Sequence, residues 1–342
     1  MINDILNKSD LTKSEIIKLL SIDSDVEMEL IYKKANEVKE KYFANQIHLR
    51  GIIEFSNYCR QDCYYCGIRN ENENVNRYRM KDEEIMSSVS MIYNAGIKTI
   101  VLQSGEDLHY DINKVEHIIK SIKNSYDVAI TLSLGERTFK EYEVWKNAGA
   151  DRYLLKHETA NPDIYYEIHP YQNFDDRIEH LKFLKKLGFQ VGSGNIVGLP
   201  GQTIEDIADD IILCKDLDVD MASFSPFISA INTPYSDHQN CGIDLNLKTM
   251  AVSRIYLNDV HIPATTALST LESDGRKRGL RAGANVIMPT YTPNDYRFNY
   301  LIYKNKPGGS EAPKIKLNKI NELLDQLNLE ISFSKGHSLK VS

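Results

Sequence analysis

Three of the chain's five cysteines crowd into Cys59-Arg60-Gln61-Asp62-Cys63-Tyr64-Tyr65-Cys66, spaced C-x3-C-x2-C. Thiolates are soft ligands suited to iron–sulfur clusters. Three of them on one tight loop can hold three corners of a cubane [4Fe–4S] cluster and leave the fourth iron without a protein ligand. An open coordination position separates a reactive metal site from a structural one. Such an iron can chelate the amino and carboxylate groups of S-adenosylmethionine (SAM). Reduction would then cleave SAM to a 5′-deoxyadenosyl radical. The plainer alternative is zinc, with Cys214, Cys241 or a histidine as fourth ligand. Zinc sites usually come as two C-x2-C-like pairs, and the sequence has no second pair. Cys214 falls on the apolar face of a predicted helix and Cys241 in a loop. An odd, clustered set of cysteines points to ligands in a reducing compartment rather than to disulfides.

Composition removes several function classes. The 342 residues carry 41 Lys plus Arg against 48 Asp plus Glu, a net charge of −7. The basic footprint of a nucleic-acid binder is missing. Apolar residues make up 42%, enough for a sizeable core. No apolar run approaches the ~20 residues of a membrane span. The first fifteen residues lack the apolar stretch of a signal peptide. A cytoplasmic protein is expected, with neither nucleic acid nor membrane as partner.

The cysteine loop needs a scaffold, and the pattern around it supplies one. Short β-branched runs recur at 52–55, 99–103, 128–132, 152–155, 191–197, 220–224, 262–266 and 284–287. Most are apolar or small throughout, as strands covered on both faces should be. Helical stripes lie between them, such as Ile85, Val89 and Ile92, or Val115, Ile118, Ile119 and Ile122. Gly96, Gly149 and Gly188 follow helices where a left-handed cap is wanted. Eight strands alternating with helices predict an α/β fold, a (β/α)8 TIM-type barrel over 47–303. Gly275, Gly279 and Gly283 in the last helical segments predict that the barrel ends irregularly or partly open. Residues 1–46 read as a helical N-terminal extension, with Thr12 and Glu15 as a capping box. Residues 304–342 read as a C-terminal tail, in which a docked helix follows Pro307-Gly308-Gly309 and carries Leu317, Ile320 and Leu324.

The cysteine spacing, the aromatic Tyr65 before the last cysteine and the barrel resemble the radical-SAM superfamily. Longer blocks narrow the resemblance: IIEFSNYCRQDCYYCGIR at 52–69, TIVLQSGED at 99–107, TLSLGE at 131–136, GADRYLLKHETANP at 149–162, VGLPGQT at 197–203, IPATTAL at 262–268 and GANVIMP at 283–289. They are similar to the HydE family of [FeFe]-hydrogenase maturases, from about residue 5 to 303. Methylornithine synthase and biotin synthase are sister groups. The LSLGE and HETANP blocks favour the HydE family.

The resemblance implies site residues. Cys59, Cys63 and Cys66 would ligate the cluster, and Tyr65 would cover its loop. Ser104, Gly105 and Glu106 match the segment whose backbone meets the SAM amino group, with Gln103 pointing into the cavity. Glu158 and Arg177 would bind SAM, Arg177 gripping its carboxylate with a planar fork. Gly194 to Gly201 would line the adenine, and Met288 would touch it. Thr131, Ser133, Arg152, Lys156, Thr265, Thr266 and Tyr300 match positions that line the substrate cavity. The family carries Arg where this chain has Lys156, which exchanges a bidentate fork for a point charge. A single cluster is expected, because no cysteine follows Cys241. The implied reaction takes one electron from a donor such as ferredoxin or flavodoxin. The radical would attack the sulfur of a cysteine-derived, iron-bound species supplied by HydG, and the product would feed H-cluster assembly on HydF. A methylornithine-type mutase or a HydE-like paralogue acting on a small amino acid is the rival on the same scaffold.

Overall fold

The computed structural model describes residues 2–306 and 313–340. The Pro307-Gly308-Gly309 boundary expected from the sequence lies outside them. Three helices, Ile2–Leu6, Lys13–Leu20 and Asp25–Phe43, precede the first strand. Thr12 does close a capping box with Glu15.

The strands are β1 (Gln46–Leu49), β2 (Gly51–Ser56), β3 (Thr99–Ser104), β4 (Ala129–Ser133), β5 (Arg152–Leu154), β6 (Gln190–Ser193), β7 (Ile196–Val197), β8 (Met221–Ala222), β9 (Ser225–Pro226), β10 (Val286–Ile287) and β11 (Glu330–Ser332). One parallel sheet runs β2-β3-β4-β5-β6-β8. Single bridges carry the ring onward, from Met221 to His261, from Pro263 to Val286 and from Thr290 back to Ile52. The result is an α/β barrel of the TIM type, complete on one side and loosely stitched on the other. The run 262–266 contributes one of these bridges, through Pro263, but forms no strand, and Thr265 instead precedes the helix Thr266–Leu271. Glycines 275, 279 and 283 accompany this irregular stretch, as their positions predicted.

Amphipathic helices cover the sheet. Asp82–Asn94 buries Ile85, Val89 and Ile92, and Ile112–Ser125 buries Val115, Ile118, Ile119 and Ile122. Apolar burial of this kind stabilises by roughly 25 cal/mol per Å2. Helices of 3.6-residue period thus fix the strands, and the strand ends fix the loops above them.

Three strands, β1, β9 and β11, fall outside the runs expected from the sequence. β1 pairs in parallel with both β10 and β11, which ties residues 46–49 to the tail. The tail helix Pro313–Asp325 buries Ile320 and Leu324. The segment after β11 then crosses the N-terminal floor of the barrel. Thr99 Oγ1 and Arg152 donate to Lys335 O, Arg152 also to Gly336 O, and Gln190 accepts from Ser338 N.

Candidate active site

The cysteine loop leaves the C-terminal end of β2 and is held by its own chain. Arg77 donates to the carbonyls of Asn57, Ile68 and Arg69 at 2.6–2.8 Å. Asp62 accepts from Glu71 N at 2.7 Å. The turn brings Cys66 N to Cys63 O at 3.2 Å. Cys59 Sγ faces two backbone donors, Glu106 N at 3.4 Å and Gln61 N at 3.5 Å. Hydrogen bonds of this type stabilise a thiolate and tune a cluster. Burial pushes the Cys66 thiol up to about 12. Burial also raises Cys59, and raises Cys63 further with its cysteine neighbours adding to the effect. To be held as thiolates in such a place they would need cations beside them, which the irons of a cluster would supply.

Ser104-Gly105-Glu106 meets this loop edge to edge. A Cβ on Gly105 would sit 2.3 Å from Tyr58 O and 2.7 Å from Cys59 Cβ, so only glycine fits. The Glu106 carboxylate accepts from Arg60 Nε at 2.9 Å, Gln61 Nε2 at 2.7 Å and Glu136 N at 2.8 Å. It therefore binds two loops together at the mouth of the barrel.

Across the mouth, Lys156 Nζ lies 2.8 Å from Glu158 Oε2. Glu158 has φ +66, an uncommon conformation for a residue with a Cβ. Pairing holds it there, since Glu158 N donates to Gly194 O and Ile196 N donates to Glu158 O. Behind it the buried Asp210 accepts from Ala160 N at 2.5 Å, Gln202 Nε2 at 3.1 Å and the Asn195 amide. Arg177 is buried too, with Nε 2.5 Å from Glu136 Oε1 and NH1 2.5 Å from Lys156 O. A lone arginine at a helix start reads most simply as a surface ion pair, but this one turns inward.

One cavity of about 390 Å3 joins these groups. Cys59, Cys63, Cys66 and Tyr65 line it, with Gln103, Ser104, Gly105 and Glu106. Glu158, Arg177 and Met288 belong to it, as do Ser133, Lys156, Thr265, Thr266 and Tyr300. Gln103 Nε2 donates to Tyr300 Oη at 3.2 Å.

Two expected cavity residues are not there. Arg152 starts β5 and so sits at the floor, where it binds Gln190, Thr99 and the tail carbonyls. Thr131 lies two residues below Ser133 on β4 and lines the same small floor space as Arg152. Conversely, the sequence reading passed over Glu54, His169, Tyr303 and Lys306, which all line the cavity. His169 Nε2 lies 3.1 Å from Tyr65 Oη, and burial holds this imidazole well below its usual range. Glu54 was legible in principle, as a carboxylate inside an otherwise apolar strand run.

Among the described residues, no three His, Cys, Asp or Glu side chains converge on a point that one metal ion would fill. The three cysteines border one shared cavity. Cys214 is buried in its helix and Cys241 packs against Gly198, and neither lines the cavity that the three loop cysteines share.

A barrel with three half-buried thiols at its C-terminal mouth, opening onto an interior cavity lined by both charged and apolar side chains, is the architecture of a radical-SAM enzyme. The radical SAM superfamily model matches residues 53–214. The [FeFe] hydrogenase maturase subunit HydE of Thermotoga maritima is 46% identical over 301 residues, 88% of this chain and 86% of that protein. The chain belongs to the radical SAM superfamily and, within it, to the family of HydE. It is an enzyme whose cofactors are a [4Fe–4S] cluster and SAM. The solved structure of methylornithine synthase (PylB) superposes with a TM-score of 0.86 at 27% identity, covering 97% of both chains. HydG of Carboxydothermus hydrogenoformans shares the fold, with a TM-score of 0.83 at 24% identity over 98% of this chain and 80% of that one. Among the described residues no helix is long and apolar enough to cross a membrane.

Proposed function

We propose that this chain acts in [FeFe]-hydrogenase maturation, on a cysteine-derived, iron-bound precursor of the H-cluster. The observation that carries the reading is the single cavity that runs from the three cysteines to the barrel interior, in a chain so similar to HydE. Cys59, Cys63 and Cys66 hold the cluster, which when bound supplies the electron that cleaves SAM to methionine and a 5′-deoxyadenosyl radical. Arg177 grips the SAM carboxylate, and Glu158 accepts from its ribose or ammonium. The Ser104-Gly105-Glu106 backbone, Ile196 from the 194–201 segment and Met288 complete the SAM wall. Ser133, Lys156, Thr265, Thr266 and Tyr300 face the substrate. The barrel walls shield the reacting groups from water.

Ferredoxin or flavodoxin is the electron donor in this reading, HydG the source of the substrate and HydF the acceptor of the product, all in the cytoplasm. Lys156, a point charge ion-paired to Glu158, favours one second reading, a mutase acting on a small amino acid. The test is anaerobic 5′-deoxyadenosine formation by the reduced protein with SAM alone, with L-lysine, or with a HydG reaction mixture. Stimulation by the HydG mixture alone supports the maturase. Stimulation by lysine moves the enzyme to the mutases. No cleavage by protein with an intact cluster would refute both.

A further inference from the structure

The cavity holds a second charged pair, away from the SAM wall. Glu54 projects from β2 and is 3% exposed, and Lys306 Nζ is ion-paired to its Oε1. The carboxylate is fixed from behind, because Thr290 and Thr292 hydroxyls donate to Oε2 at 3.1 and 2.9 Å. The ammonium also donates to Tyr300 O at 3.1 Å and lies 4.5 Å from the Tyr300 ring centroid. In register, Glu54 stands beside Gln103, whose amide holds the Tyr300 hydroxyl.

A buried ion pair is a poor way to gain stability, since desolvation offsets the attraction. This one borders open space rather than packed core. Its two halves differ in freedom: Glu54 is anchored on a strand, whereas Lys306 comes from the segment 299–306. That segment is docked over the mouth through Gly67 N to Ile302 O at 3.0 Å and Lys304 N to Ser229 O at 2.9 Å. A ligand bearing one ammonium and one carboxylate can enter such a pair with every charge still matched. Its ammonium meets Glu54 and its carboxylate meets Lys306.

We infer that Glu54 and Lys306 form a subsite for the α-ammonium and α-carboxylate of an amino-acid substrate. The inference rests on the reading of this cavity as the substrate site and adds the group by which the substrate is held.

Calorimetry on anaerobic, cluster-loaded, SAM-bound protein tests it with three probes: L-cysteine, 3-mercaptopropionate (no ammonium) and cysteamine (no carboxylate). L-cysteine should bind about tenfold or more tighter than either truncated probe, as expected for charged hydrogen bonds. Glu54→Gln should erase its advantage over 3-mercaptopropionate and keep that over cysteamine. Lys306→Met should do the reverse. A pair that merely clasps the segment would weaken all three probes in parallel in both variants, which would overturn the inference. So would equal binding, or no binding, of the three probes to the unaltered protein. The measurement needs no radical, so a failure of SAM cleavage would sink the proposed function without touching this result.

Discussion

Gly67 and Leu301 are in backbone contact: a Cβ on Gly67 would lie 2.0 Å from the Leu301 carbonyl oxygen. The residue after the last cluster-loop cysteine thus carries the segment that roofs the cavity. Gly67→Ala should push the roof away, with faster amide exchange over 299–306 and a loss of roughly 1–3 kcal/mol of stability. Hydrogen exchange on the purified variant checks this, and unchanged exchange there would refute the coupling.

Cys63→Ala should abolish both the visible iron–sulfur absorption and SAM cleavage. Cys214→Ala should keep the full iron and sulfide content, because Cys214 is a buried helix residue away from the loop. Iron analysis of the two reconstituted variants separates a three-cysteine cluster from a site that recruits Cys214.

Arg177→Lys keeps the charge but loses the planar fork that now spans Glu136 and the Lys156 carbonyl. The KM for SAM should rise by about tenfold. Equal KM values in the two proteins would remove Arg177 from the SAM site.

Arg152→Met should behave quite differently. Its guanidinium makes bonds to Thr99, Gln190 and two tail carbonyls in a buried setting. Losing them should cost about 3 kcal/mol and free the tail. The folded variant should still cleave SAM at an ordinary rate, measured below its lowered Tm.

Acid should weaken the floor. Burial, with Arg50 and Arg152 nearby, holds His48 down to about 4, against an ordinary 6.5. Between these values the unfolded chain binds a proton that the folded chain refuses, so stability rises with pH there. It is complete above 6.5 and drains away as pH falls toward 4. The neighbouring His261, its ring 5.0 Å away, is lowered by burial in the same sense. In His48→Gln, Tm should fall less steeply with acid over that window, whatever its absolute value.

The sequence carried the mouth of the barrel better than its floor. Cysteine spacing and the residues at the ends of β3 and β5 mark the C-terminal side, because a loop residue just past a strand has one place to go. Height along the barrel axis is harder to read. Arg152 and Lys156 are four residues apart, yet one begins the strand at the floor and the other lies beyond its end at the mouth. Lys306 was invisible for another reason: it reaches the cavity from a segment with no periodicity, through contacts to residues more than 200 positions away such as Glu54. The tail strand β11 is three residues long and pairs with β1, a partnership no local pattern announces.

That partnership bears on how the molecule is made. Gln46 and Glu330 are 284 positions apart and face each other in neighbouring strands. Contacts so distant in sequence form slowly, because a long loop must close before any bonding rewards it. During synthesis β1 emerges early and waits for a partner from the end of the chain. The floor is therefore expected to be the last part of the barrel to assemble, and a nascent chain arrested before β11 would expose the His48 and Arg152 end to water.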